Sequence, residues 1–124
     1  MTLKMVHVLI VAAVLAPLII APASAMKNPA AVYCGAMGYT YTTEDTPDGT
    51  LGLCRMPDGT TVDAWRFLQG SAGQQYSYCA RQGYRQQVVR SYRTCGAFCL
   101  DECLVCVLPD GRTAEVTQLM NLSF

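Results

Sequence analysis

The chain has 124 residues, with nine Lys and Arg against nine Asp and Glu, so it carries no formal net charge; 15% of it is charged and 52% hydrophobic. A balanced charge excludes a global field that would draw in nucleic acid or an anionic membrane, and the length limits the chain to one small domain or two very small units. Seven cysteines and a single histidine narrow the chemistry further.

The first 25 residues read as a secretory leader. Lys4 supplies a positive start, Val8 to Ile20 is an apolar run interrupted only by Pro17, and Ala23-Ser24-Ala25 is the small-x-small pattern that predicts cleavage after Ala25. The alternative is an uncleaved anchor, for which an apolar core of about thirteen residues is short beside the ~20 that span a bilayer. No cysteine precedes Cys34, too far along for a lipoprotein cleavage site. The expected product is an exported chain, extracellular or held in the periplasm or cell envelope, running from Met26 with a formal charge of about −1.

Cleavage would remove His7, the only histidine. Without imidazole there is no Ser-His-Asp or Cys-His catalysis and no His-containing zinc site. All seven cysteines would remain, and a short chain this rich in cysteine in an oxidising compartment reads as a disulfide scaffold. Seven is odd, so one thiol is left over or pairs between chains.

Asn28-Pro29 caps and starts a predicted helix that runs through Cys34 to Met37 and stops at Gly38. Tyr39 to Thr43 is strand-like, Thr46-Pro47-Asp48-Gly49 is a tight turn, and Leu51 to Met56 is the return strand of a β-hairpin. Pro57-Asp58-Gly59 makes a second turn, since proline presets φ and Asp bonds its own backbone. Val62 to Leu68 follows as a short helix closed by Gly70, with Trp65, Phe67 and Leu68 as core residues. Ser71-x-x-Gln74 resembles a capping box opening a helix that Gly83 closes. Tyr84 to Arg93 is again strand-like, Leu104 to Leu108 is its return, Pro109-Asp110-Gly111 is a turn, and Ala114 to Met120 is the last helix.

That order occurs twice because the chain resembles itself. Tyr33-Cys34-Gly-Ala-Met-Gly38-Tyr39 recurs 45 residues on as Tyr78-Cys79-Ala-Arg-Gln-Gly83-Tyr84. Cys54-Arg-Met-Pro57-Asp58-Gly59-Thr-Thr61 recurs 52 residues on as Cys106-Val-Leu-Pro109-Asp110-Gly111-Arg-Thr113. The expected architecture is α+β, a small disulfide-stapled domain of two tandem helix–β-hairpin–helix units, residues 26–70 and 71–124. The offset grows by seven, so the second unit carries an insertion at about residues 94–103, with Cys95, Cys99 and Cys103 in or beside it.

The repeat supplies a pairing rule. Each unit owns one helix cysteine and one return-strand cysteine, so the economical bridges are Cys34 to Cys54 and Cys79 to Cys106, with a swapped arrangement between units as the alternative. Cys95, Cys99 and Cys103 would give one further pair and one unpaired thiol. Cys99 to Cys106 also has the C-x3-C-x2-C spacing of an iron-sulfur site, and Cys103-Leu-Val-Cys106 that of a redox dithiol. Asp101 and Glu102 beside the latter disfavour a thiolate, and the repeat assigns Cys106 to the scaffold. No metal and no cofactor is therefore expected.

No catalytic residue is expected either. The pairs Asp45 and Asp48, Asp58 and Asp63, or Asp101 and Glu102 could be named as glycosidase-like, but they sit in polar turns of a chain with little cleft to raise a carboxyl pKa. One local charge excess stands out, in which Arg81, Arg85, Arg90 and Arg93 occur with Tyr84 and Tyr92 and no acid between them. This stretch is the candidate interaction surface, set against the plainer reading of a solvated face.

Asn28-Pro-Ala-Ala-Val-Tyr-Cys34, followed by Cys54-Arg-Met-Pro-Asp-Gly59-Thr-Thr-Val-Asp63-Ala-Trp65, resembles a family of small exported domains of unknown function whose members often carry a hemolysin label. The first unit matches over about forty residues. The second lacks the Asn-Pro start and has Thr117 where the first has Trp65, so it reads as a diverged copy. The resemblance implies export and a small stapled architecture; it supplies no mechanism. The function expected is a secreted, disulfide-rich binding module with an extracellular or cell-surface macromolecule as partner, and no nucleic acid. The alternatives are a membrane-active protein, for which the chain after residue 25 offers no long apolar or strongly basic amphipathic segment, and a cysteine-based metal or redox protein.

Overall fold

The computed structural model describes Pro17, residues 27–96 and residues 100–124. The leader expected over residues 1–25, Pro17 excepted, and Cys99 lie outside them.

Asn28 accepts hydrogen bonds from the backbone N–H groups of Ala30 and Ala31, and Pro29 begins α1 (Pro29–Ala36). A side-chain acceptor at the cap and a proline that lacks an N–H remove three of the unsatisfied donors of a helix start. β1 (Thr40–Thr46) and β2 (Gly49–Arg55) form an antiparallel hairpin closed at Thr46 and Gly49. A third strand, β3 (Thr61–Asp63), then pairs with β2 before α2 (Ala64–Gln69), whose cap is the Asp63 carboxylate accepting from the Arg66 N–H.

The second half repeats this order with a different entrance. Ser71 does not cap a helix. A 3₁₀ turn at Gln74–Tyr76 comes first, and Ser77 caps the short α3 (Tyr78–Arg81) by accepting from the Ala80 N–H. β4 (Arg85–Val89) is followed by α4 (Tyr92–Cys95), then β5 (Cys103–Val107), β6 (Thr113–Glu115) and α5 (Val116–Leu119). Glu115 caps α5 as Asp63 caps α2, accepting from the N–H groups of Thr117 and Gln118. The architecture is α+β, with two three-stranded antiparallel sheets in the orders β1-β2-β3 and β4-β5-β6. Each sheet has one strand more than the expected hairpin.

Three disulfides staple these elements. Cys34 of α1 is bonded to Cys54 on the central strand β2, Cys79 of α3 to Cys106 on the central strand β5, and Cys95 of α4 to Cys103 at the start of β5. The first two each fix a helix to the middle of its own sheet.

The halves share one core. Tyr33, Cys34, Cys54, Phe67 and Leu68 from the first half pack in the same buried cluster as Cys79, Leu104, Cys106 and Val116 from the second. Gly70 ends α2 at φ +87°, and a Cβ there would lie 2.8 Å from Leu104 Cδ1 and 3.1 Å from Val88 Cγ2. Only glycine takes that backbone conformation cheaply and also lets α2 approach the second sheet so closely. Three hydrogen bonds between residues distant in sequence join the halves. The Tyr39 hydroxyl donates to Tyr76 O at 2.8 Å, the Tyr78 N–H donates to the Tyr33 hydroxyl at 3.1 Å, and Arg81 Nη1 donates to Met37 O at 2.7 Å.

Tyr33 is fully buried, and burial pushes its hydroxyl up from 10.0 to about 12, against the lowering effect of the Tyr78 N–H. Because the folded value exceeds the unfolded one, this group's contribution is complete below pH ~10 and is lost as pH rises toward ~12, at roughly 1.4 kcal/mol per pH unit. Tyr33→Phe should therefore flatten the alkaline fall in stability across that window. It should also lower stability at neutral pH by about 1–2 kcal/mol, because the Tyr78 N–H loses its acceptor. Denaturant melts at pH 9 to 12 on both proteins test this, and equal alkaline slopes would refute it.

Candidate functional site: a groove between the two halves

Gly38, at φ +80°, turns the chain out of α1, so that Tyr39 lies beside the junction and Thr40 begins β1. β2 runs back alongside and ends at Arg55, opposite Thr40, with Met56 and Pro57 beyond it. From the other half, Tyr76 and Arg81 close in. These residues line an open groove of about 760 Å³.

The groove has an apolar floor and a cationic rim. Met37 and Met56 are buried, while Tyr39 and Tyr76 are half-buried. The Arg81 guanidinium sits 5.9 Å from the centre of the Tyr39 ring while donating to Met37 O, two contacts that hold its charge at the groove. Arg55 is exposed at the opposite lip. The side-chain ion pairs among the described residues are Arg90 with Glu102 and Arg112 with Asp110, so neither Arg55 nor Arg81 is matched by a carboxylate there.

Asp58 borders this region, and its carboxyl is held below the usual range by hydrogen bonds from the Thr60 hydroxyl and N–H, with a further one from Tyr76. Burial and the neighbouring Asp58 charge push the Tyr76 hydroxyl up. A lowered carboxyl is the reverse of what a general acid needs. Three of the other acids have structural partners too. Asp45 accepts from the Thr50 hydroxyl, Asp63 caps α2, and Asp110 is held low by Arg112.

The arginine stretch read from sequence is divided by the fold. Arg81 turns to the groove. Tyr84 packs against the main core, and Arg85 is exposed at the start of β4. Arg90 lies 3.6 Å from Glu102, while Tyr92 and Arg93 are exposed on α4. Arg55, Tyr39 and Tyr76 are not among the site residues expected from sequence; Tyr39 is marked there only as part of the repeat, and it is the packing of the halves that brings the three together. Of the C-x3-C-x2-C cysteines, Cys103 and Cys106 are in disulfides and so are not thiolate ligands. No three His, Cys, Asp or Glu side chains gather as a metal site among the described residues.

Three disulfides in so short a chain point to an oxidising, extracytoplasmic environment. Among the described residues no helix is long and apolar enough to cross a membrane.

Residues 25–71 match the family described as "Domain of unknown function (DUF333)". An uncharacterized protein of Archaeoglobus fulgidus is 50% identical over 107 residues, which cover 86% of this chain and 48% of that protein. The uncharacterized protein YoaF of Escherichia coli K12 is 41% identical over 44 residues, 36% of this chain and 52% of that protein; YoaF of Shigella flexneri matches equally. The chain thus spans about half the length of the curated relatives it matches. No solved structure matches it.

Proposed function

We propose that this chain is a secreted, disulfide-rich binding module built of two tandem units, residues 26–70 and 71–124, and that it acts without catalysis. Its groove takes a ligand with an oxyanion on an apolar or aromatic body. The observation that carries this reading is the pair Arg55 and Arg81, unmatched by carboxylates among the described residues, at the rim of a groove floored by Tyr39, Met37 and Met56. Guanidinium groups bind carboxylate and phosphate through paired N–H donors. A cavity of this volume lies within the range of small-ligand sites, ~300–1,000 Å³.

Benzoate, benzamide and inorganic phosphate are suitable probes in an NMR titration of the isotope-labelled protein. Benzoate should shift the amide signals of Gly38, Thr40 and Arg81 in a saturable way, benzamide should not, and Arg55→Gln should weaken the benzoate response by at least about fivefold, the loss of one charge-assisted contact. Phosphate acting as well as benzoate would show that the oxyanion alone is recognised. Absence of saturable shifts at the groove, or an equal response to benzamide, would overturn the proposal. The membrane-active reading has its own readout: a flat trace from dye-loaded vesicles at micromolar protein removes it.

A further inference from the structure

The chain has two asparagines, Asn28 and Asn121, and the structure uses them in opposite ways. Asn28 is followed by Pro29, and its carboxamide oxygen is taken up by the N–H groups of Ala30 and Ala31. Asn121 is exposed, and it enters the hydrogen bonding of the described residues through its backbone N–H, which donates to Gln118 O at 3.1 Å.

Asn121 stands just past the end of α5. The Leu122 N–H donates back to Thr117 O at 3.0 Å, and together with the Asn121 bond this is the paired closure by which helices end on a left-handed residue. Asn121 is at φ 52°, and among the described residues it is the non-glycine residue with positive φ. Glycine takes that conformation at least cost, and does so beyond α1, α2 and α3 at Gly38, Gly70 and Gly83. The backbone alone therefore does not account for a carboxamide here. Asn121-Leu122-Ser123 is also the acceptor triplet for an N-linked glycan, an asparagine with a hydroxyl residue two positions on and no proline between. Asn121 and Ser123 are both exposed, on either side of Leu122, which packs partly buried against the shared core.

We infer that Asn121 is an N-glycosylation site; this rests on the reading of the chain as secreted, since the acceptor triplet is met by its transferase outside the cytoplasm. The Asn121 Nδ2 atom bonds to C1 of the first sugar of an oligosaccharide carried on a polyprenyl phosphate, as the bond from C1 to the phosphate oxygen breaks. The phosphate leaves with the electron pair and the proton lost from Nδ2 passes to a base of the transferase, so nothing is oxidised or reduced. Opening the triplet to a transferase gives up little, namely the backbone bonds to Gln118 and Thr117 and the partial burial of Leu122.

Mass spectrometry of tryptic peptides from the protein recovered from its own cell tests this. The peptide that begins at Thr113 holds the triplet and no cysteine. It should carry the added mass of a glycan, release sugar fragment ions, and place the attachment at Asn121. Ser123→Thr should keep the glycan and Ser123→Ala should lose it, while both leave Asn121 and its helix-ending turn in place. An exported, disulfide-bonded chain starting at Met26 whose Thr113 peptide has its bare mass would overturn the inference and leave the secreted reading standing. So would a glycan that survives Ser123→Ala. A chain that still carries residues 1–25, with its cysteines open to alkylation before reduction, would overturn the secreted reading and the inference with it.

Discussion

Replacing Cys79 and Cys106 together by alanine should lower stability by about 3.5 kcal/mol, and replacing Cys34 and Cys54 by about 3.3 kcal/mol, in the chain-entropy account of loop closure. The figures follow from sequence separations of 27 and 20 residues. For a chain of this size either loss is a shift of roughly 15–25 °C in Tm, and removing both pairs would consume most of the ~5–15 kcal/mol that folded domains have. All four sulfurs are fully buried in the shared core, so each loss is also felt as missing packing. The Cys95–Cys103 pair closes only eight residues and belongs to the smaller cluster with Val105, Val89 and Leu100. Its removal should cost about 2.5 kcal/mol by the same formula and leave the shared core folded. Guanidinium melts followed by far-UV circular dichroism give the ranking. Losses below ~1 kcal/mol for either core pair would mean that the bridges constrain little that packing does not already hold.

Phe67→Ala is the second large effect, at about 3–5 kcal/mol, the range for emptying a buried aromatic site. Phe67 is fully buried, its ring centre 4.8 Å from that of Tyr33 and 5.9 Å from that of Tyr39. Those two tyrosines make hydrogen bonds to the second half, at Tyr78 and Tyr76. The loss should therefore propagate across the junction and lower the stability of both sheets together, in one transition. Hydrogen exchange of β2 and β5 amides reads this out. Faster exchange in β2 with β5 unchanged would show that the halves fold independently.

Much of this scaffold is legible in the sequence because repeated local signals specify it. Asn28-Pro29, the Pro47-Asp48 turn and the Gly38 stop act within a few residues, and the structure realises each of them locally. The third strands were not legible. β3 and β6 have three residues each, too short to show a period, and they are strands only because a neighbour offers them a ladder. The entrance to the second half was misread at Ser71 because a capping box needs a helix to follow, and here Gly73 at φ +64° bends the chain into a 3₁₀ turn before Ser77 caps α3. The groove could not be read at all. Arg55 and Arg81 belong to different halves, and only the junction at Tyr39 and Tyr76 sets them on one rim. The clustering of arginines between Arg81 and Arg93 suggested one surface, whereas a helix end, a strand and a second short helix send those side chains to different places.

The account rests on one staple per unit around a core that both units share. Peptide mapping of the protein recovered from its own cell, alkylated before digestion and kept unreduced, tests this most directly. The account predicts Cys34 linked to Cys54, Cys79 to Cys106 and Cys95 to Cys103, with the label of a free thiol, if any, on Cys99. Bridges that join Cys34 or Cys54 to Cys79 or Cys106, or free thiols at those four positions, would contradict it.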